Sequence, residues 1–229
     1  MIPLRDLTPR QRTPFVAWTL VLVNVGVFVY QYFVLDSGQA QTAFLASFAA
    51  VPANVGAAVL GQESPVAGLM PLVTSMFLHG GFMHLLGNMW FLWIFGDNVE
   101  DELGHAKFLL FYLACGVLAT LAHFAAEPSS TVPLVGASGA IAGVMGAYLM
   151  RFPRSRVIVL LPLIVIWTTV QLPAFVMLLY WFAIQVLNGT AASGGAGVAW
   201  WAHVGGFVIG AGLALYLTRG RPKRSLQFY

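Results

Sequence analysis

The sequence predicts an all-α polytopic membrane protein, a bundle of six transmembrane helices with both termini on the cytoplasmic side. Of its 229 residues, 59% are apolar and only 8% are charged, whereas soluble domains average about 45–50% and about 25%. The apolar residues form long charge-free runs, and the basic residues between those runs fall on one side of the resulting topology. So few charges cannot cover a water-exposed surface, which excludes soluble, disordered and nucleic-acid-coating classes of protein.

The charge-free runs define the helices, because most are close to the roughly 20 residues that a helix needs to cross a bilayer. Six spans are predicted, at residues 14–35, 72–95, 108–126, 132–150, 157–185 and 199–218. Strands are not expected, since the runs lack period-two alternation and are longer than the strands of membrane barrels. The whole chain, 1–229, is therefore predicted to be a single membrane domain.

The charges between the spans predict the orientation. All eleven Lys and Arg residues fall before span 1, between spans 2 and 3, between spans 4 and 5, or after span 6. The other side carries only three acidic residues, Asp36, Glu63 and Glu127. By the positive-inside rule both termini are cytoplasmic. Residues 42–61 are apolar enough for a seventh span, but inserting it would split the basic residues between the two faces. We therefore expect residues 36–70 to form an external loop that is partly embedded in the membrane.

Cys115 is the only cysteine, and it falls inside span 3. One thiol excludes a disulfide framework and a cysteine-rich metal site. We therefore expect this cysteine to serve packing, and we expect the protein to use no metal and no cofactor.

Polar side chains inside the spans are the first candidates for function, because placing them in lipid is costly. Span 2 carries His84 and Asn88, span 4 carries Ser138, and span 6 carries His203. Counted at about 1.5 Å per residue from the cytoplasmic end of each helix, these groups share a layer roughly 14–24 Å above it. Measured from Ser138, span 4 is too short to cross the membrane. Its N-terminus is therefore expected below the surface, beside a water-filled cavity that opens outward.

These residue types suit acyl transfer. Ser138 becomes a nucleophile if a base takes its proton, and neutral His203 is the natural base. A serine in the first turn of a helix also places a free backbone N–H and the positive end of the helix dipole near a developing oxyanion. His84 and Asn88 are four residues apart, project from one helix face and can both donate hydrogen bonds. No Asp or Glu lies inside a span to orient His203, so the pattern predicts a dyad.

Each of these residues also has a purely structural interpretation. Ser138 lies among glycines and could belong to a packing face, and His203 could be a packing histidine. His123 calculates to the same depth as His203, so depth alone does not select the base. It lacks adjacent small residues, and we interpret it as structural. His79, just above His84, is expected to orient a loop by hydrogen bonding.

Taken together, four motifs in this order resemble the rhomboid family of intramembrane serine proteases. They are H-x4-H-x3-N at His79, His84 and Asn88; G-x3-E-x3-G at Gly96, Glu100 and Gly104; G-x-S-G from Gly136 to Gly139; and A-H-x-x-G-x3-G at Ala202, His203, Gly206 and Gly210. Each motif alone is weak, whereas the ordered set on spans 2, 4 and 6 is specific.

The resemblance implies a six-helix rhomboid-like bundle in which Ser138 is the nucleophile and His203 the general base. It implies an oxyanion hole made by His84, Asn88 and the backbone N–H of Ser138. It assigns structural roles near the site to six further residues: His79, Glu100, Gly136, Gly139, Gly206 and Gly210. Some members place an aromatic residue four positions after the nucleophile, where it stacks on the histidine; this chain has Ala142 there, so His203 must be held by other contacts.

The resemblance further implies a serine endopeptidase that cleaves single-span transmembrane proteins near the outer end of their span, where small residues are favoured at the scissile bond. Span 5 would lie on the side that admits substrate. The expected location is the cell (inner or plasma) membrane, multi-pass, with the active site opening to the extracytoplasmic side. The expected partners are these substrates and the lipid bilayer, without nucleic acid, and the sequence indicates no oligomeric state.

Two other function classes compete with the protease. One is a catalytically silent rhomboid-like factor for membrane-protein binding or quality control, and the presence of both Ser138 and His203 argues against it. The other is a small transporter, which the absence of carboxylates within the spans and of repeat symmetry disfavours.

Overall fold

The structure, a computed structural model, describes residues 1–35, 37–163, 166–191 and 198–221. In chain order its elements are β1 (Ile2–Asp6), α1 (Phe15–Val29) with a π-helical extension (Tyr30–Val34), α2 (Gly38–Phe48), α3 (Pro52–Val59), α4 (Pro65–Leu69), α5 (Pro71–Thr74), a 3₁₀ turn (Ser75–Phe77), α6 (Phe82–Leu103), α7 (His105–Ala126), α8 (Ser138–Arg151), β2 (Arg156–Leu163), β3 (Ile166–Pro173), α9 (Ala174–Ala191) and α10 (Trp200–Leu217). Three charges used for the topology, Asp36, Lys223 and Arg224, lie outside the described residues, as does 192–197, most of the patch between the last two spans.

Helix α8 forms the centre of the bundle, and α6, α7, α9 and α10 all pack against it. Every residue from Gly139 to Leu149 is buried. Helices α6 and α7 are separated by Gly104 alone, whose φ of 82° lies in the region that glycine adopts without steric cost. The chain can therefore reverse at one residue and place α7 beside α8.

The predicted external loop contains three short helices, α2, α3 and α4. Proline occupies the first turn of α3 and of α4, where its fixed φ suits a helix start. The Ser37 side chain accepts a hydrogen bond of 3.1 Å from the backbone N–H of Ala40 and so caps α2. Residues 72–77, predicted as the beginning of span 2 (72–95), instead belong to α5 and a 3₁₀ turn, and the long helix begins at Phe82.

The predicted fifth span, 157–185, is wrong in its first half. Residues 156–163 and 166–173 form an antiparallel hairpin, and β1 pairs with its first strand to give a three-stranded sheet in the order β1-β2-β3. The expectation of no strands, and with it a purely all-α fold, is therefore corrected. The hairpin is rich in Val, Ile and Thr, which favour strands, and its hydropathy alone does not separate a buried strand from a helix. As a result the fifth long helix, α9, begins only at Ala174.

Four helical segments of the described chain are long and apolar enough to cross a membrane: Phe15–Val34, His105–Ala126, Ala174–Ala191 and Trp200–Leu217. A fifth candidate joins Pro65–Phe77 to Phe82–Leu103 across a 77° bend. Helix α8 has 14 residues and is about 21 Å long, shorter than the roughly 30 Å hydrocarbon core. The protein is thus a multi-pass membrane protein with four or five candidate spans, where the sequence predicted six.

The sheet is held to the bundle by a partly buried carboxylate. Asp6 at the end of β1 accepts hydrogen bonds from the Tyr148 hydroxyl of α8 at 2.9 Å and from the Asn98 amide of α6 at 2.8 Å. Burial raises the pKa of Asp6 above its usual value of 3.8, against the opposing effect of its hydrogen bonds. This contact fixes β1, and through it the hairpin, to the end of α8 remote from Ser138.

Candidate active site

Ser138 is the first residue of α8, where the sequence analysis expected a nucleophile. The chain enters the helix through Gly136, whose φ is 117° and whose N–H donates to the Ser75 carbonyl at 2.9 Å. The first turn of a helix has no intrahelical acceptors for its N–H groups. The serine hydroxyl and these N–H groups therefore lie together at the positive end of the α8 dipole.

The Ser138 hydroxyl makes its hydrogen bond with His203 of α10. Its Oγ lies 2.8 Å from Nε2 of the imidazole. The two helices meet closely because glycines line their contact: a Cβ atom at Gly206 would overlap the carbonyl oxygen of Gly139, and one at Gly210 would overlap that of Gly143. A serine and a histidine that are 65 residues apart in the chain thus come within proton-transfer distance.

The other imidazole nitrogen of His203 contacts Gln185, which was not among the predicted site residues. Its Nδ1 lies 2.8 Å from Oε1 of Gln185 on α9. The ring of Trp181, one turn earlier on α9, lies over the imidazole with centroids 5.9 Å apart and planes at 37°. The sequence carried one signal that could have identified Gln185. It is an amide within a predicted span, and a polar group in lipid needs a partner.

His84 and Asn88 of α6 face the turn that precedes Ser138. A Cβ atom at Gly136 would be 2.7 Å from Nε2 of His84 and 3.5 Å from Nδ2 of Asn88, so only glycine leaves room for the imidazole there. Nδ1 of His84 accepts a hydrogen bond of 3.4 Å from the Gly80 N–H, which leaves the proton on Nε2. Among the described residues, the buried Nδ2 of Asn88 has no acceptor. Two donors are therefore available beside the serine.

A cavity of about 840 Å³ joins these groups. The cavity is lined by all four predicted residues, Ser138, His203, His84 and Asn88. Trp181 lines it on the side of α9. A volume of several hundred Å³ is typical of a ligand pocket. The serine hydroxyl, the imidazole of His203 and both donors therefore face one space.

Of the remaining predicted residues, His79 lies beside His84, whereas Glu100 lies far from the cavity at the other end of α6. The carbonyl of His79 accepts from Nε2 of Gln31 at 3.1 Å, and the His79 ring meets His84 edge-on. Glu100, sixteen residues along α6 from His84, accepts from the N–H groups of Val16 and Ala17 at 3.0 and 2.7 Å and so caps α1. Cys115 is buried against Gly143. His123 is buried on α7 beside Phe124, and the hydrogen bond of Ser138 goes to His203 instead.

Comparison with known proteins relates this arrangement to one family. Residues 66–220 match the family model of the rhomboid domain. The rhomboid protease GluP of Bacillus subtilis is 34% identical over 155 residues, which are 68% of this chain and 28% of that protein. YdcA, a rhomboid-type protein of the same organism, is 44% identical over 78 residues, 34% of this chain and 39% of the relative.

A mitochondrial protein is also similar to this chain. The human presenilin-associated rhomboid-like protein is 32% identical over 96 residues, 41% of this chain and 25% of the relative. The matches therefore cover between about a quarter and two fifths of the length of these relatives.

Proposed function

This chain belongs to the rhomboid family, and we propose that it is an intramembrane serine endopeptidase that uses Ser138 and His203 as a catalytic dyad. The family includes rhomboid proteases such as GluP, but the matched portions are partial, so the proposal rests on the site of this chain. The observation that carries it is the 2.8 Å contact between Ser138 Oγ and His203 Nε2 at the edge of the cavity.

Acylation follows from this geometry. His203 Nε2 takes the proton of Ser138 as the oxygen attacks the scissile carbonyl carbon, and a tetrahedral intermediate forms. Its oxyanion is stabilised by His84 Nε2–H, Asn88 Nδ2 and the Ser138 N–H, each preorganised by the fold. The imidazolium then protonates the leaving amine, the C–N bond breaks, and the N-terminal part of the substrate remains as an ester on Ser138.

Deacylation repeats these steps with water. His203 takes a proton from the water as its oxygen attacks the ester, and the same donors hold the second oxyanion. Protonation of Ser138 Oγ by His203 releases the carboxylic acid and restores the dyad. Water is required within the membrane, and the cavity supplies the space for it.

We infer the substrate class and the location from the position of the site within a membrane protein. We place α8 within the bilayer with Ser138 toward the extracytoplasmic side and both termini in the cytoplasm, because the basic residues lie on the opposite side from the loop that precedes α6. The proposed substrates are single-span transmembrane proteins that reach the cavity from the bilayer. The proposed location is the plasma membrane.

The alternative of a catalytically silent rhomboid-like binding or quality-control factor is less favoured. This chain places a serine hydroxyl within hydrogen-bond distance of an imidazole, and it places hydrogen-bond donors beside that serine. A catalytically silent protein needs neither feature.

The deciding experiment is cleavage of a tagged single-span model substrate, with small residues near its outer end, by the purified protein in liposomes. We expect cleavage by the wild type, none by Ser138→Ala, and unchanged cleavage by Ser129→Ala, which removes an exposed hydroxyl from the loop after α7. A fluorophosphonate probe should label the wild type and Ser129→Ala only. Equal cleavage by wild type and Ser138→Ala would overturn the proposal.

A further inference from the structure

Helix α9 supplies the contacts that hold His203. Oε1 of Gln185 lies 2.8 Å from Nδ1 of the imidazole, and Gln185 itself is only 5% exposed. The tilted ring of Trp181 lies against the imidazole at a centroid distance of 5.9 Å, and Trp200 of α10 itself adds an edge-on contact at 6.2 Å. These contacts replace the aromatic residue that is absent at Ala142.

The orientation of the Gln185 amide follows from its second hydrogen bond. Its Nε2 lies 3.3 Å from the carbonyl oxygen of Trp181, which can only accept a hydrogen bond. The amide nitrogen therefore faces that carbonyl, and the amide oxygen faces the imidazole. Since an amide oxygen is also only an acceptor, the proton of neutral His203 lies on Nδ1.

This tautomer is the one that catalysis requires. With the proton on Nδ1, the lone pair of Nε2 points to the Ser138 hydroxyl and can accept its proton. The other tautomer would present an N–H to the serine oxygen and could not act as a base. The amide of Gln185 thus selects both the rotation and the tautomer of the imidazole ring.

We propose that Gln185 is the positioning residue of the catalytic base, so that the site is a Ser138–His203–Gln185 triad in which α9 aligns His203. This inference rests on the proposed protease function. In known triads a third group orients the base, and an amide serves in that position in papain-like proteases.

An amide suits the membrane better than the carboxylate found in many triads. An ionised carboxylate within the bundle loses the hydration that stabilises its charge in water. A neutral amide orients the imidazole without that cost, and its dipole still favours the imidazolium that forms during catalysis. Because Trp181 lines the cavity, the same helix both borders the substrate space and orients the base.

Three variants test the role of Gln185. Gln185→Leu removes the acceptor at similar size, and Gln185→Glu keeps an acceptor oxygen. Thr190→Val is the control, because Thr190 is exposed on α9 and, within the described residues, its hydroxyl bonds to carbonyls of its own helix. With the liposome substrate, we expect Gln185→Leu to lower kcat on the order of 10- to 100-fold, part of what a well-placed base contributes, and to change KM less than about twofold.

Gln185→Glu should recover most of that loss at its own pH optimum, and the acid limb of its pH–rate profile should move to higher pH because a carboxylate stabilises the imidazolium. Thr190→Val should match the wild type. Equal losses in the Leu and Glu variants with an unmoved pH profile would mean that Gln185 is merely structural and would overturn the inference, as would an unaffected Leu variant.

A readout without turnover separates this inference from the proposed function. In ¹⁵N-histidine NMR, with the His203 signals assigned by their loss in His203→Phe, we expect the Nδ1–H tautomer in the wild type and Thr190→Val, and a shift toward Nε2–H in Gln185→Leu. The same tautomer in all three proteins would overturn the inference, whether or not substrate is cleaved. Absence of cleavage together with the expected tautomers would instead contradict only the protease function.

Discussion

The main chain of Gly206 lies directly against the carbonyl oxygen of Gly139, with no space between them for a side chain. Gly139 follows Ser138 by one residue, and Gly206 follows His203 by three. The distance between helices α8 and α10 at this point therefore controls the distance between Ser138 and His203. Small residues allow such close contacts between membrane helices.

Gly206→Ala should therefore disturb both stability and activity. The new Cβ would overlap the Gly139 oxygen, forcing the helices apart at a cost of about 1–3 kcal/mol, as for other overpacked contacts. The Ser138–His203 hydrogen bond should lengthen and cleavage should fall. Thermal unfolding in detergent and the cleavage assay measure the two effects. Gly212→Ala on the same helix is the matched control, since no atom of the described residues lies within 4 Å of its added Cβ. Losses of similar size in both variants would contradict a specific role of the Gly206–Gly139 contact.

Asn88→Ala should slow cleavage without preventing folding. Nδ2 of Asn88 is a buried donor that has no acceptor in the described part of the chain, so its removal breaks no internal hydrogen bond of that nitrogen. Loss of one oxyanion donor lowers kcat on the order of 100- to 1000-fold. Steady-state kinetics should show the change in kcat, with Leu86→Ala, an exposed position on the same helix, retaining the wild-type rate. An unchanged kcat in Asn88→Ala would place the oxyanion donors elsewhere.

Glu100→Ala should destabilise the attachment of α1 to the bundle. The carboxylate accepts from two backbone N–H groups in the first turn of α1, at Val16 and Ala17, and unsatisfied buried donors cost about 1–3 kcal/mol each. Hydrogen exchange of those two amides and the unfolding temperature should both report the loss. Glu63→Ala, which changes an exposed carboxylate of the external loop, should leave both unchanged. Protected Val16 and Ala17 amides in the Glu100 variant would refute the role of Glu100 as a cap.

The partly buried Asp6 should make the stability of the protein depend on pH. Because burial raises the pKa of Asp6 in the folded state above 3.8, its ionised form opposes folding at neutral pH. That cost disappears as pH falls through the folded-state pKa toward the unfolded value. The free energy of unfolding of the wild type, taken relative to Asp6→Asn, should therefore increase on acidification within this window and become constant below it. Denaturation of both proteins between pH 4 and 8 tests this, and a difference that decreases with acid would reverse the sign.

Much of the site was accessible from the sequence because lipid makes polar groups conspicuous. Four polar side chains stand out within otherwise apolar runs, and each belongs to a motif of short spacing: His84, Asn88, Ser138 and His203. The structure brings all four to one cavity. Gln185 carries the same polar signal, but no spacing connects it with a residue 18 positions later on another helix. Its contact with His203 exists only because α9 and α10 pack side by side.

The sequence by itself determined that the chain belongs in a membrane, because composition and charge-free length depend on no contact between distant residues. Only the tertiary structure decided that residues 156–163 and 166–173 pair as strands. The strands need partners, and one of these is β1, which begins at the second residue of the chain. Hydropathy is a sum over neighbours along the chain, whereas strand pairing and the orientation of His203 depend on atoms that meet only after the chain has folded.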